Sequence, residues 1–365
     1  FCAQVSKDTD SIQYENDDIM RPHYGDDYAI ACCVSAMKVG KQMQFFGARC
    51  NLAKLLLIAI NGGYDADSKM HIGPQMDVLS GDKLNYDEVV ARFDIYMAWL
   101  SNLYVNTMNV IHYMHDKYAY EKIQMALHDT NVERFMAFGI AGLSVVADSL
   151  SAIKYAKVYP IKNEDGHIVD FRTEGEFPKF GNDIPEVDAF ARDVAYTYTK
   201  PMETYKNPRG GMFQAGLYPV SANVPLGAQT GATPDGRLAH QPVADGVSPS
   251  AGKDVSGPTA ACNSVARLDH FIASNGTLFN QKFHPSALSG RAGLENFVAM
   301  IRSYFDQKGM HVQFNVVDKE TLLDAQKYPE KYKHLVVRVA GYSALFTTLS
   351  RSLQDDIINR TEQGW

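Results

Sequence analysis

The sequence predicts an α/β fold with parallel strand pairing, and three observations carry that reading. The first two-thirds is rich in helical patterns, with apolar residues recurring every three or four positions. A stretch dense in Gly, Pro, Ser, Ala and Thr follows, from Pro208 to Pro258. The remainder alternates short apolar runs with helical patterns, the order expected when parallel strands are joined by crossover helices.

Taken in order, Asn51 to Ile60 reads as a helix stopped by Asn61-Gly62-Gly63. A longer helix opens at Asn85, with Glu88 three residues on as a capping pair. Its apolar residues Val90, Phe93, Met97, Leu100, Tyr104, Met108 and Ile111 form one predicted buried face. A further helix is expected over Val145 to Lys157. Asn163-Glu164-Asp165-Gly166 then turns the chain into a short strand at Ile168 to Phe171. Composition shifts after Tyr205, which divides the chain into regions 1–205 and 206–365. The long loop-rich stretch in the second region reads as a set of site-building loops rather than a linker. His311 to Val317 is expected to be a buried strand, Lys319 to Lys327 a helix and Leu335 to Ala340 a second strand. A loop holding Gly341 and a helix near Leu353 to Thr361 complete the chain.

Composition excludes several classes. With 365 residues, 45% hydrophobic and 21% charged, the chain can bury a substantial core. A net charge of -7 and the lack of any Lys/Arg block argue against a nucleic-acid partner. The longest apolar runs, Leu52 to Ile60 and Phe135 to Val146, fall well short of the roughly 18 residues a membrane span needs. No signal peptide is visible, and a start at Phe1 reads as a fragment or a processed product. Five cysteines, Cys2, Cys32, Cys33, Cys50 and Cys262, make neither a disulfide framework nor a zinc pattern. A reducing cytoplasm suits them.

Three features carry candidate chemistry. Cys32 and Cys33 are adjacent, a spacing that disfavours a disulfide between them. Such thiols are either small core hydrophobes or reactive groups, as nucleophiles or as hydrogen-atom donors to a protein radical. Gly341, just past a predicted strand, is either a turn residue of positive φ or a site whose missing side chain matters. A radical at a glycine Cα can lie planar between two amides, which a Cβ would hinder. Arg49 offers a planar fork for a carboxylate, or a structural ion pair. His112, His115 and Asp116 share a helical face, more in keeping with a hydrogen-bonded helix edge than with a metal site. Gly246 to Lys253 fails the phosphate-loop pattern, because its glycines are one residue too far apart and Asp254 stands where Ser or Thr is needed.

These pieces together resemble the pyruvate formate-lyase family of glycyl radical enzymes. The resemblance rests on Ser11 to Asp18, Ala31-Cys32-Cys33-Val34-Ser35, Gly40 to Arg49, Ile111 to Tyr118, Asp148 to Lys157 and the glycine motif Arg338-Val339-Ala340-Gly341-Tyr342. It implies the C-terminal portion of a ten-stranded α/β barrel, built from two five-stranded parallel halves, with the Cys and Gly loops meeting inside. Region 1–205 would carry the cysteine loop and 206–365 the glycine radical. A radical S-adenosylmethionine activating enzyme would take hydrogen from Gly341, and the stored radical would pass to Cys33 and on to Cys32. Pyruvate and CoA would be the substrates, yielding acetyl-CoA and formate in anaerobic fermentation, with no metal on this chain. Arg49 would hold the substrate carboxylate and Phe46 would wall the pocket. Relatives are homodimers, so a homodimer is expected.

The resemblance also brings departures. Family members are about twice as long, so a missing N-terminal half would leave an open barrel and exposed apolar surface. From about Asn207 on, Arg209 to Gly216, Asn223 to Gly227, Thr233 to Arg237 and Phe279 to Pro285 look more like the glycyl radical eliminases, such as glycerol dehydratase and choline trimethylamine-lyase. That shift suggests a mosaic with a seam between Asn182 and Asn207. An eliminase is therefore the alternative activity. Those enzymes follow their cysteine with Val and a Glu base, whereas Cys33-Val34-Ser35 supplies no acid, which favours acyl transfer. A third possibility, a radical carrier docking on another subunit, fits less well because both loops are present.

Overall fold

The computed structural model describes residues 1–365 apart from Cys32, Lys206, Pro208 and Arg209, and apart from the side chains of Phe45, Phe46, Glu121 and Glu203. Short pieces aside, the chain runs β1 (Gln13–Glu15), β2 (Gln42–Asn51), α1 (Leu52–Ile60), α2 (Tyr86–Lys117), β3 (Glu133–Ala141) and α3 (Leu143–Tyr155). It continues through α4 (Pro185–Thr199), β4 (Met212–Gly216), β5 (Asn280–Phe283), α5 (Gly290–Asp306), β6 (His311–Val316) and α6 (Lys319–Lys327). The end of the chain comprises β7 (Val336–Arg338), β8 (Ser343–Leu345), α7 (Arg351–Asn359) and β9 (Glu362–Gln363).

The α/β class holds. Strands β2, β3 and β4 form a parallel sheet with β3 central. From Phe135 to Ala141 β3 is buried on both faces, which is why it reads as a near-continuous apolar run. The second sheet has the order β1-β6-β5-β9, with β5 parallel to both β6 and β9 and β1 antiparallel to β6. Helix α1 begins where Asn51 accepts the Lys54 N–H at 3.1 Å, and α2 where Asn85 accepts the Glu88 N–H at 3.0 Å. Each such cap contributes about 1 kcal/mol. Among the described residues no helix is long and apolar enough to cross a membrane.

Several expectations need correction. Leu335 to Ala340 is not a further strand of a parallel sheet. Positive φ at Gly341 (+82°) reverses the chain, so β7 pairs antiparallel with its own continuation β8. The predicted face of α2 holds at Phe93, Met97, Tyr104 and Met108 but is rotated at its other positions. Val90, Leu100 and Ile111 are half-buried, while Val89, Tyr96, Val105 and His112 are buried, because α1, α3 and α4 all pack on this helix and broaden its covered side. Helix α3 starts at Leu143, after Gly142 at φ +82°, and stops at Tyr155. Lys157–Lys162 is instead a strand, antiparallel to Ile168–Glu174.

Among the described residues two main apolar cores result, beside a small cluster of Ile19, Met20, Ala36 and Met310. The larger lies among the β2–β4 sheet, its helices and β5–β6. The smaller gathers Cys33, Val34, Tyr218, Leu278, Val337, Val339, Ala340 and Phe346. Both predicted loops rest on this second core.

Candidate active site

Gly341 occupies the turn between β7 and β8, where Val339 N–H donates to the Tyr342 carbonyl at 2.9 Å. A Cβ placed on Gly341 would lie 2.1 Å from Cys33 Cβ, 2.5 Å from its Cα and 2.8 Å from its Sγ. The Cα–H bond that a side chain would replace therefore points straight at Cys33. The sulfur is no farther from the glycine Cα than that 2.8 Å plus one C–C bond length of about 1.5 Å.

Cys33 is 5% exposed, in the loop joining Tyr28–Ile30 to Ala36–Lys38. The Ala31 N–H donates to the Ser35 carbonyl at 2.7 Å, closing the loop. Gln13 Nε2 donates to the Cys33 carbonyl at 2.8 Å. Ser35 Oγ donates to the Asn275 backbone oxygen at 3.0 Å. On the far side of the loop Gly276, φ +106°, packs so closely that a Cβ would meet Val34 Cγ2 and O at 2.6 Å. The cysteine loop is thus wedged between Gly341 and Gly276, each bare for the close approach. Cys32, the second predicted thiol, lies outside the described residues.

A buried polar layer surrounds the two loops. Arg338 donates to Gln13 Oε1, and Gln13 in turn holds the cysteine loop. Backbone N–H and C=O of Arg338 both pair with the Asn315 amide, each at 2.8 Å. Ser343 Oγ donates to the Asp10 carbonyl at 2.6 Å. Burial pushes the Asp10 carboxyl up to about 7 from its ordinary 3.8, against the opposing pull of the Val316 N–H and Arg338. A folded-state value raised in this way favours the protonated carboxyl. Its stabilising contribution is complete below pH about 4 and is lost as pH rises through about 7. An Asp10→Asn chain, which mimics the neutral form, is expected to match the parent's thermal midpoint in acid. It should exceed it by a margin that widens up to pH about 7. A difference independent of pH would contradict a protonated Asp10.

Arg49 stands opposite Gly139 on β3, after a bulge between Gln44 and Gly47. A Cβ at 139 would meet the Arg49 side chain at 3.0 Å, so this glycine makes room for it. The guanidinium lies over the Tyr218 ring, 5.3 Å from its centre, and Nη1 donates to the Gly47 carbonyl at 3.3 Å. Nε is buried and has no hydrogen-bond partner among the described residues. Tyr218 connects Arg49 to the cysteine loop, since its hydroxyl lies 3.3 Å from Ser35 Oγ. Phe46 sits on the bulge, but its side chain lies outside the described residues. His112, His115 and Asp116 do not converge: the His112 ring pairs with Asn207 at 3.0 Å and His115 stacks on Tyr120. Among the described residues no group of His, Cys, Asp and Glu is arranged for a metal.

Sequence reasoning missed Gln13, Tyr218, Asn275, Gln313, Asn315 and Arg338 as parts of this site. A signal for two of them was present. His311, Gln313 and Asn315 alternate with apolar residues along β6, which marks a polar strand face. All three are buried.

A family model described as pyruvate formate lyase-like matches residues 1–227, and one described as glycine radical matches residues 243–347. Formate acetyltransferase 1 of Escherichia coli (strain K12) is 49% identical over 369 residues, which cover 99% of this chain and 49% of that protein. The glycerol-bound, B12-independent glycerol dehydratase of Clostridium butyricum superposes with a TM-score of 0.87 at 42% identity, over 100% of this chain and 50% of its own. The Roseburia inulinivorans structure for 1,2-propanediol dehydration gives 0.86 at 45% identity, over 99% and 50%. The chain spans about half the length of these relatives.

Proposed function

The chain belongs to the pyruvate formate lyase-like family, and from that premise we propose that it carries the radical centres of a formate C-acetyltransferase. Gly341 stores the radical, Cys33 relays it and Cys32 holds the acyl group. The observation that carries this reading is the aim of a Gly341 Cα–H bond at Cys33.

In the proposed sequence, a radical S-adenosylmethionine activating enzyme removes one hydrogen atom from Gly341 Cα. The glycyl radical then takes the hydrogen atom of the Cys33 thiol, so that a C–H bond forms and an S–H bond breaks. The resulting thiyl takes the Cys32 hydrogen atom in the same way. The Cys32 thiyl adds to the pyruvate carbonyl carbon, and the C–C bond cleaves. This leaves an acetyl thioester on Cys32 and a formate radical anion. The Cys33 thiol gives its hydrogen atom to that anion, forming formate, and the Cys33 thiyl takes back the Gly341 hydrogen atom to restore the glycyl radical. The CoA thiol exchanges with the thioester, giving acetyl-CoA and the free Cys32 thiol. Arg49 holds the pyruvate carboxylate with Tyr218 bracing its guanidinium, and Phe46 walls the pocket. Two thiols divide the labour because one stays covalently occupied while the other relays.

The reading extends to the whole protein. The two sheets belong to a ten-stranded barrel completed by a second half, the protein works as a cytoplasmic homodimer, and the barrel wall excludes solvent from the radical. The eliminase alternative is weaker at the cysteine loop. Ser35 is buried with its hydroxyl given to Asn275, where elimination needs a carboxylate base.

The test is anaerobic activation followed by electron paramagnetic resonance and product analysis. A glycine-centred doublet that collapses with Cα-deuterated glycine, together with acetyl-CoA and formate from pyruvate and CoA, is the expected result. A doublet accompanied by aldehyde from glycerol or 1,2-propanediol, and no acetyl-CoA, would overturn the acyl-transfer reading.

A further inference from the structure

The turn that carries Gly341 is gripped on both of its polar edges. The Gly341 N–H donates to Gln313 Oε1 at 2.9 Å. The same oxygen accepts from Arg338 Nε at 3.2 Å and Nη2 at 3.1 Å. On the other edge Arg360 donates to the Val339 carbonyl at 2.9 Å and to the Arg338 carbonyl at 3.3 Å.

The two grips are joined. Gln313 Nε2 donates to Asn280 Oδ1, and Asn280 Nδ2 donates to Asp245 Oδ2. Arg360 lies 3.5 Å from that carboxylate and 3.2 Å from Asp356. Gln313, Asn280 and Asp245 are all buried.

This ring dictates which way the Gln313 amide faces. An aspartate carboxylate accepts, so Asn280 must present its NH₂ group to Asp245 and its oxygen to Gln313. Gln313 must then present its own NH₂ group to Asn280, which leaves its oxygen facing Gly341. Arg338 can only donate and enforces the same orientation. A flipped amide would set donor against donor at Gly341 and Arg338, and acceptor against acceptor at Asn280, in a buried site.

We propose that Gln313 is the positioning residue of the radical glycine: its oxygen holds the Gly341 peptide plane so that the Cα–H bond faces Cys33, in an orientation set from Asp245 through Asn280. The inference rests on reading Gly341 as the radical site. A glycine radical is shared between the flanking amide nitrogen and carbonyl, which requires the two flanking peptide planes to turn coplanar with the Cα centre. In the unactivated chain, at φ +82°, the acceptor on the N–H fixes the amide on that side of Gly341 and with it the direction of the Cα–H bond. Gln313 touches no reacting atom and acts through the Gly341 amide.

Two readouts separate this role from plain stability. In the unactivated chain, hydrogen exchange on peptides spanning 339–342 is expected to quicken about tenfold in Gln313→Leu, the loss of one buried hydrogen bond. It should stay near the parent in Gln313→Glu, whose carboxylate accepts from Gly341 whichever way it turns and pairs with Arg338, offsetting the donation to Asn280 that it loses, while the ladder amides of β3 are unchanged in both. In the activated chain, the α-hydrogen splitting of the glycyl doublet is expected to change in Gln313→Leu and return in Gln313→Glu. If Gln313→Leu does not fold, Asp245→Asn is the substitute, because it leaves Gln313 in place and frees the amides to flip. It should quicken exchange at 339–342 in the same direction. Unchanged exchange in the folded variant overturns the inference. A parent that forms no radical counts against the functional reading, while the exchange rates still decide the role of Gln313.

Discussion

A Gly341→Ala chain is expected to give no glycine-centred signal after anaerobic activation and to unfold at a lower denaturant concentration than the parent. Two independent costs act at this position. An L-residue at φ +82° is strained by about 1–2 kcal/mol. The new methyl would also sit 2.1 Å from Cys33 Cβ and 2.5 Å from its Cα, and relieving such overlap costs about 1–3 kcal/mol more. The turn must then retreat from the cysteine loop, and the Gly341–Gln313 hydrogen bond goes with it. Cys33→Gly in the same chain removes the atom nearest the methyl. The double variant is expected to regain part of the lost stability and none of the radical, a coupling that a double-mutant cycle measures. Full parental stability in Gly341→Ala would mean that the two loops do not meet as described.

The second large effect is at Cys33, where the expected phenotype is the opposite combination. Cys33→Ser keeps the Cβ contact and the side-chain shape but replaces an S–H bond with a much stronger O–H bond, which a glycyl radical cannot break at a useful rate. The doublet should form to the parental level and persist, while acetyl-CoA production falls at least about a thousandfold, equivalent to roughly 4 kcal/mol on the barrier. Gly341→Ala loses signal and turnover together, whereas Cys33→Ser separates them. Spin quantitation and product formation on one activated sample check this. Turnover surviving in Cys33→Ser would remove Cys33 from the relay.

Local signals in the sequence were accurate where structure is local. Asn51 and Asn85 cap the helices they were read as starting, and α6 spans Lys319–Lys327 as its pattern predicts. Gly341 as a turn of positive φ was legible for the same reason. The approach of Gly341 to Cys33 was legible through family resemblance alone, because no spacing rule links residues so far apart. What stayed hidden depends on long-range packing. The rotated face of α2 follows from its three neighbours; the β7–β8 hairpin is the exception, a local pairing missed because Ser343–Leu345 is too short a run to read as a strand. Gln13, Gln313 and Arg338 are ordinary polar residues until the sheet places them in one buried layer.

The placement of β1 has a consequence for how the chain reaches its native state. β1 comes from near the N-terminus, yet it pairs in register, Gln13 opposite Gln313, with a sheet whose other strands all lie beyond residue 279. Gln13 and Arg338 are 325 residues apart in sequence. Closing a loop of that size costs about 5 kcal/mol of chain entropy. A three-residue ladder cannot offset this by itself, so β1 can dock only on a sheet and core already formed. The cysteine loop, which hangs from Gln13, therefore arrives at the glycine turn among the last events of folding. Until residues 13 and 338 have met, Cys33 does not stand before Gly341.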